Sequence, residues 1–173
     1  MGGMTLAYLV QHGEKEPLPG DPGLTETGQQ QATRTGRWLR GVELRGLWTS
    51  PMRRTRETAE RIAAVTGLAV QPDAKLRERM KWDGSLPFET FLAAWARTMQ
   101  DRDWVPANGE SSRQAGTRLQ EFLACLRPLG LSRSSPTAES RSICCATSSA
   151  TMPCPRTCWL QASRRVPSLR WRT

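Results

Sequence analysis

The sequence contains very little histidine, and this scarcity limits the chemistry that the chain can perform. His12 is the only histidine among 173 residues. The five cysteines show no metal-ligand spacing, so the sequence predicts no zinc site. No apolar run approaches the roughly 18 to 20 residues of a membrane span, and the N-terminus lacks a secretory pattern. We therefore expect one cytoplasmic domain without a membrane partner.

Acidic residues are scarce near the C-terminus, and this makes the charge distribution uneven. The net charge is +9, and residues 131–173 contain seven arginines but one acidic residue. Four of the five cysteines lie there too. A strongly positive charge ordinarily indicates a polyanionic partner. Because most of the excess lies in this last quarter, that inference applies to the C-terminal segment and not to the rest of the chain.

Residues 4–130 show the patterns of an α/β fold. "LAYLV" and "GLWTS" are short apolar runs typical of buried parallel strands. Helices are predicted for "LTETGQQQATRTGRWLR", which begins with a capping threonine, and for "PMRRTRETAERIAAVTG", which opens with proline and closes at glycine. A third predicted helix, "SSRQAGTRLQEFLACL", has one apolar stripe: Ala115, Leu119, Phe122, Leu123 and Leu126. We expect a three-layer sandwich whose mainly parallel sheet is flanked by helices.

His12 lies where a predicted strand ends, which is the usual place for a reactive residue in such a sheet. A lone histidine is more often structural, so its neighbours decide the interpretation. Arg53, Arg54 and Arg56 lie at a predicted helix start, where a phosphate can be bound by guanidinium and N–H groups. A solvated helix face is the default for two of them. Glu78 is a candidate proton donor, although a surface glutamate is the default for such a residue.

Four motifs occur in an order that resembles the histidine phosphatase superfamily, the phosphoglycerate mutase-like phosphatases. That family is marked by L-V-R-H-G-E, L-T-x-x-G-x-x-Q-A, S-P-x-x-R-A-x-x-T-A, and L-x-E before an aromatic, acidic and glycine triplet. Here they read "LVQHGE", "LTETGQQQA", "SPMRRTRETA" and "LRERMKWDG", and "NGESS" matches a later G-E-S element. The order and spacing agree over residues 4–130.

The resemblance implies roles for individual residues. His12 would be the nucleophile that accepts the phosphoryl group, and Glu78 the general acid. Arg54, Gly13 and Gln11 occupy phosphate-binding positions. No metal or cofactor is implied, because arginines and histidines neutralise the phosphoryl charge. The partner would be a small phosphorylated metabolite or a phosphoprotein, and the short cap expected between residues 83 and 108 favours a phosphatase over a mutase.

The sequence departs from the family at two places. Gln11 stands where the family has arginine. A neutral amide loses a charge-assisted interaction worth about 1.5–3 kcal/mol per bond, and the expected rate penalty is about ten- to a hundredfold or more. The family also requires a second histidine on a later strand, in a V-x-H-G-G-like motif, and this chain has none.

Residues 131–173 show neither a helical nor a strand period, and three interpretations remain open. They are a disordered basic tail, an arginine-rich nucleic-acid arm, or the product of a frameshift near residues 130–133. In the displaced frame the segment can read V-T-H-G-G-V-T-V-D-L-L-R, whose histidine arises if Pro136 is encoded by CCC. Cys144 and Cys145 give leucine there whichever codons are used. We favour the frameshift, and a nucleic-acid partner is the least favoured interpretation.

Two functions are compatible with these observations. The first is a phosphomonoesterase of the histidine phosphatase type, impaired by the two departures. The second is a catalytically inactive fold that binds a phosphorylated ligand or protein. We expect the strand carrying the second histidine to be central in the sheet, so its loss would expose the faces of its neighbours.

Overall fold

The computed structural model describes residues 5–126 and a strand at 140–145, and these residues form a parallel sheet with flanking helices. The strands are β1 (Thr5–Val10), β2 (Gly46–Thr49), β3 (Val70–Pro72) and β4 (Ser140–Cys145). The helices are α1 (Glu26–Leu39), α2 (Arg53–Thr66), α3 (Phe88–Gln100) and α4 (Ser112–Cys125), and a short 3-10 turn spans Ala74–Leu76. No helix in these ranges is long and apolar enough to cross a bilayer. The predicted α/β fold is confirmed.

The sheet order is β1-β4-β2-β3, and every neighbouring pair is parallel. Cys145 at the end of β4 pairs with Val10 of β1 and with Thr49 of β2. The carboxyl ends of these three strands therefore meet at one edge of the sheet, where ligands bind in open α/β folds.

Alternate residues of β2 face the two layers of helices. Leu47 is fully buried against α1 and α2, together with Leu39, Ala59 and Ile62. Trp48 points to the other side and packs edge-on against Phe122 of α4, with ring centroids 6.3 Å apart. Each large side chain buried in this way contributes about 1.5–3 kcal/mol. The three-layer sandwich follows from this alternation.

The apolar stripe predicted on α4 lies on the core side of that helix. Phe122 is buried beside Leu76, and Leu119, Leu123 and Leu126 pack against the same cluster. Ser111 caps the helix by accepting the Gln114 N–H, while the Gln114 side chain accepts the Ser111 N–H. This reciprocal pair of hydrogen bonds fixes where α4 begins.

The predicted ends of α1 and α2 are largely observed. Thr25 Oγ1 accepts the Gly28 N–H at 3.0 Å and caps α1. Gly67 ends α2 in the left-handed conformation, with φ of 76°. Pro51, however, lies before α2 and not at its first position. The first helical N–H, that of Arg53, is satisfied by both carboxylate oxygens of Asp21, at 3.0 Å each.

Strand β4 differs from the expectation for the C-terminal segment. We predicted no regular element in residues 131–173 and a missing central strand, yet Ser140–Cys145 occupies the position between β1 and β2. The physical reason is that the inner edges of β1 and β2 need backbone partners, and ladder hydrogen bonds depend little on side-chain identity. The remainder of residues 131–173 lies outside the described residues.

Candidate active site

His12 follows β1 at the sheet edge and is half-buried. Its Nδ1 lies 2.6 Å from the Gly13 carbonyl oxygen. Because a carbonyl accepts and never donates, Nδ1 carries the proton and Nε2 keeps a free lone pair in the neutral ring. Burial lowers the pKa of His12, and the charges of Arg54 and Lys15 lower it further, against the opposing effect of the Gly13 hydrogen bond. The ring is therefore neutral at pH 7 and has an available nucleophilic nitrogen.

The loop that carries His12 is fixed by a close approach to α1 and α2. The Gly13 N–H donates to Thr58 Oγ1 at 3.1 Å, and the Thr58 hydroxyl donates to the Arg54 carbonyl at 2.8 Å. A Cβ atom at Gly13 would lie 2.3 Å from the Gly28 carbonyl oxygen, and one at Gly28 would lie 2.0 Å from that of Glu14. Glycine is required at both positions because the two backbones are nearly in contact.

Arg54 lies in the first turn of α2 and is 3% exposed. Its Nη2 donates to the Glu78 carboxylate, and its Nη1 lies 3.6 Å from Asp21 Oδ1. Its buried Nε has no hydrogen-bond partner within residues 5–126 and 140–145. Two carboxylates hold this guanidinium in one orientation, and an anion that displaces one of them can bind the Nη groups.

Glu78 is half-buried and faces the Arg54 guanidinium. Burial raises the pKa of Glu78, while Arg54, Lys15 and Arg79 oppose the rise. Together with Lys81 and four other residues, Glu78 lines a cleft of about 300 Å³; the others are Asp21, Pro51, Met52 and Arg77. A carboxyl group with a raised pKa at the wall of a cleft is a candidate general acid.

The structure brings most of the predicted site residues together. His12, Gly13, Arg54 and Glu78 are connected through the hydrogen bonds and charges described above. Gln11 is adjacent but exposed, and its side chain makes no hydrogen bond to these residues in the described part of the chain.

The three arginines at the start of α2 have separate positions. Arg54 is buried in the site, whereas Arg53 and Arg56 are exposed, and Arg53 pairs with Glu57 at 2.7 Å on the helix surface. The sequence interpretation that a solvated helix face accounts for two of the three therefore agrees with the structure.

Two charged residues of the site were missed by sequence reasoning. Asp21 both pairs with Arg54 and caps α2, but it lies in a proline- and glycine-rich loop without any periodic pattern. Lys15 affects the pKa of both His12 and Glu78, and burial lowers its own pKa, followed by the effect of Arg54. Its place three residues after the histidine, in the same loop, was a positional indication that could have identified it.

A metal centre has no candidate ligand group in the regions described. Residues 5–126 and 140–145 contain no cluster of three or more histidine, cysteine, aspartate or glutamate side chains arranged to hold an ion. The absence of a metal and of a cofactor from the reaction stays a prediction.

Comparison with known proteins identifies the family. The model of the histidine phosphatase superfamily (branch 1) matches residues 7–160. The chain belongs to this superfamily. The match includes every site residue described above and continues past position 130, where we placed the end of the domain.

Two curated relatives show how far the likeness extends. The probable phosphoglycerate mutase GpmB of Erwinia tasmaniensis is 35% identical over 141 residues, which cover 71% of this chain and 64% of the relative. The fructose-2,6-bisphosphatase TIGAR B of Danio rerio is 30% identical over 132 residues, covering 68% and 51%. The chain therefore spans less than two thirds of the length of these relatives.

Solved structures confirm the fold. The mycobacterial glucosyl-3-phosphoglycerate phosphatase Rv2419c, in complex with inorganic phosphate, matches with a TM-score of 0.66 and 25% identity over 80% of this chain and 70% of its own. Bacillus stearothermophilus YhfR matches with a TM-score of 0.66 and 27% identity over 82% and 73%. The family resemblance carried by the four motifs is thus confirmed.

Proposed function

We propose that the chain is a phosphomonoesterase that transfers a phosphoryl group to His12 and then to water. The observation that carries this proposal is the hydrogen bond from His12 Nδ1 to the Gly13 carbonyl. It directs the free lone pair to Nε2 in a ring that stays neutral, beside a buried arginine. The substrate would be a phosphorylated metabolite or a phosphoprotein, and the expected setting is the cytoplasm.

The reaction has two steps with balanced proton transfers. His12 Nε2 attacks phosphorus, the bond from phosphorus to the leaving oxygen breaks, and Glu78 donates its proton to that oxygen. Water then attacks the phosphorus of the phosphohistidine, the bond from Nε2 to phosphorus breaks, the Glu78 carboxylate accepts a proton from the water, and inorganic phosphate leaves. Each cycle returns His12 and Glu78 to their starting protonation states.

The pairing of Arg54 with Glu78 links phosphate binding to protonation. In the structure, the Glu78 carboxylate is one of the two anions that Arg54 contacts, and Asp21 is the other. A phosphoryl group bound to Arg54 takes over that contact and places negative charge beside Glu78, which raises the pKa of Glu78 further. Substrate binding therefore favours the protonated form that the first step requires.

This site differs from the family pattern in the positively charged residues that would face the phosphoryl group. Gln11 provides a neutral amide where the family has arginine. Lys15 contributes a cation whose charge acts on both His12 and Glu78. An ammonium group lacks the planar fork of arginine, so it stabilises the phosphoryl group less directionally. We expect the chain to be slower than an enzyme with arginine at position 11.

We further propose that a frameshift near residues 130–133 removed the second histidine. In the displaced frame, residues 134–139 can read V-T-H-G-G, which is the family motif that carries the second histidine. DNA sequencing across codons 125–150 tests this: a codon other than CCC for Pro136 removes the predicted histidine.

The nucleophile assignment is tested by trapping the intermediate. The protein is mixed with ³²P-labelled phosphomonoester and quenched in alkali, and His12→Ala is compared with Arg56→Ala, an exposed residue of α2. We expect an acid-labile, alkali-stable label in the parent chain and in Arg56→Ala, and none in His12→Ala. Hydrolysis of p-nitrophenyl phosphate that survives His12→Ala would contradict the proposal.

The second candidate is an inactive protein that binds a phosphorylated ligand, and the neutral Gln11 together with the single histidine favours it. Calorimetric titration with inorganic phosphate distinguishes the two candidates. Binding that depends on Arg54, without any label on His12, identifies the inactive binder. The nucleic-acid interpretation of the basic tail would require salt-dependent DNA binding that is lost on deletion of residues 131–173.

A further inference from the structure

A second and smaller pocket, of about 160 Å³, lies in the cap between α3 and residues 104–108. Its lining has one cation, Lys81, and one carboxylate, Asp83. A pocket that selects a second anionic group needs convergent cations, whereas this lining suits a neutral apolar group. Its walls are mainly apolar and include Trp82, Leu86, Phe91, Ala94, Trp104 and Pro106.

The aromatic walls of this cap pocket are held in place by other contacts. Trp82 Nε1–H donates to the Leu86 carbonyl at 2.9 Å, and its ring centroid lies 4.9 Å from that of Phe88. The Arg97 guanidinium stacks on Trp104 at 4.6 Å from the ring centroid. A pocket whose walls are fixed before binding loses little conformational entropy when a ligand enters.

The cap pocket adjoins the Glu78 cleft. Lys81 lines both, and it lies three positions after Glu78, a span of at most roughly 10 Å along the chain. The Trp82 carbonyl also accepts the Gly20 N–H at 2.9 Å, beside Asp21, which pairs with Arg54. A group that leaves from the oxygen facing Glu78 would therefore lie next to the aromatic walls.

We infer that the cap pocket binds the leaving group of the substrate, and that the substrate is a phosphomonoester of an apolar alcohol or phenol. The pocket has room for one aromatic ring, since an apolar protein cavity of about 150 Å³ holds benzene. This inference rests on the proposed function for the phosphoryl end alone. It assigns a class of leaving group that differs from the carboxylate-bearing alcohol of a phosphoglycerate.

The direct test compares two phosphonates that the protein does not hydrolyse. Phenylphosphonate and methylphosphonate carry the same anionic head, so their binding constants differ by the contribution of the ring. Calorimetric titration of the full chain should show about ten- to a hundredfold tighter binding of phenylphosphonate, the range expected for burial of one ring.

Variants that fill the cap pocket test whether the preference for phenylphosphonate arises there. Ala94→Leu places a larger side chain in the half-buried lining, and Ala93→Leu makes the same change at an exposed neighbour outside it. We expect Ala94→Leu to abolish the preference without changing methylphosphonate binding, and Ala93→Leu to retain it. Thr90→Leu, at an exposed lining position, gives a second filling variant if Ala94→Leu unfolds.

The outcomes separate this inference from the proposed function. Equal binding of the two phosphonates, or a preference that survives both filling variants, would overturn the apolar subsite. A ring preference in a protein that forms no phosphohistidine would retain the subsite and contradict the reaction. If neither phosphonate binds, phenol alone decides: chemical-shift changes in the tryptophan indole signals that Ala94→Leu removes support the subsite, and their absence overturns it.

Discussion

The residues around His12 form two groups, which differ in how many contacts hold them. We call them the built flank and the open flank. In the built flank, at α2, Thr58 fixes the His12 loop, and Arg54 is held between Asp21 and Glu78. The open flank is Gln11, which is exposed and neutral, and its side chain makes no hydrogen bond to these residues in the described part of the chain. Orienting a nucleophile and neutralising the charge of its substrate are therefore separate tasks. The described residues of this chain complete the first task better than the second.

Removing the acid from the built flank should have the largest effect. Glu78→Gln is expected to lower kcat/KM for alkyl phosphates by about 10²- to 10⁴-fold, because the leaving oxygen loses its proton donor. The loss should be much smaller with p-nitrophenyl phosphate, whose leaving group needs no proton. Glu60→Gln, an exposed glutamate of α2, is the matched control and should change neither rate.

The same variant should change the pH profile in one direction. The reaction needs neutral His12, whose pKa burial lowers from 6.5, and protonated Glu78, whose pKa burial raises from 4.5. The acid limb of kcat/KM therefore lies below pH 6.5 and the alkaline limb above pH 4.5. Glu78→Gln should lose the alkaline limb, and a limb that persists would mean that another group is the acid.

Exchanging the guanidinium for an ammonium tests how the built flank holds phosphate. Arg54→Lys keeps the charge but loses the planar fork, and we expect kcat/KM to fall by about 10²- to 10³-fold. Calorimetric titration should also show weaker binding of inorganic phosphate. Arg56→Lys makes the same exchange at an exposed position of the same helix, and equal effects of the two substitutions would contradict the role of Arg54.

Restoring charge on the open flank should increase activity. Gln11→Arg adds the charge-assisted fork that the family uses, and we expect kcat/KM to rise by about ten- to a hundredfold. Gln120→Arg, on the exposed face of α4, adds the same net charge away from the site and should have no effect. An unchanged rate in Gln11→Arg would show that this flank takes no part in the rate-limiting step.

The smallest effect is expected from loosening the loop of the built flank. Thr58→Val removes the hydroxyl that joins Gly13 to Arg54 and leaves the buried Gly13 N–H unpaired. Denaturant titration should show a loss of about 1–3 kcal/mol in the free energy of unfolding, with a modest fall in kcat/KM. Thr66→Val, whose hydroxyl donates within α2, should cost less on both measures.

Local patterns predicted the parts of the fold that depend on neighbours in sequence. The run "LAYLV", the Thr25 cap and the Gly67 end of α2 were all readable because short segments carry these preferences. The position of Pro51 before α2 and the capping role of Asp21 were not readable. The carboxylate that caps the first turn of α2 comes from a loop that is distant in sequence.

The candidate site was predictable to a similar extent. Motif spacing selected His12, Arg54 and Glu78, and the structure joins them. The electrostatic effect of Lys15 depends on how its loop folds over the site, and the spacing of residues in the sequence does not predict that fold. Strand β4 was missed because its place in the sheet depends on the empty edges of β1 and β2 and not on its own composition.

The strand order has a kinetic consequence. Among the described strands, β1 and β2 are joined only through β4, which pairs Thr5 with Ser140 and is the last of the four to be synthesised. The central pairing closes a very long loop, and such non-local contacts slow folding. Although His12 is encoded near the start of the chain, the strand that precedes it gains its described sheet partner only when this late strand is made. A ribosome-bound chain ending before residue 140 should therefore expose the unpaired edge of β1 to chaperones and proteases.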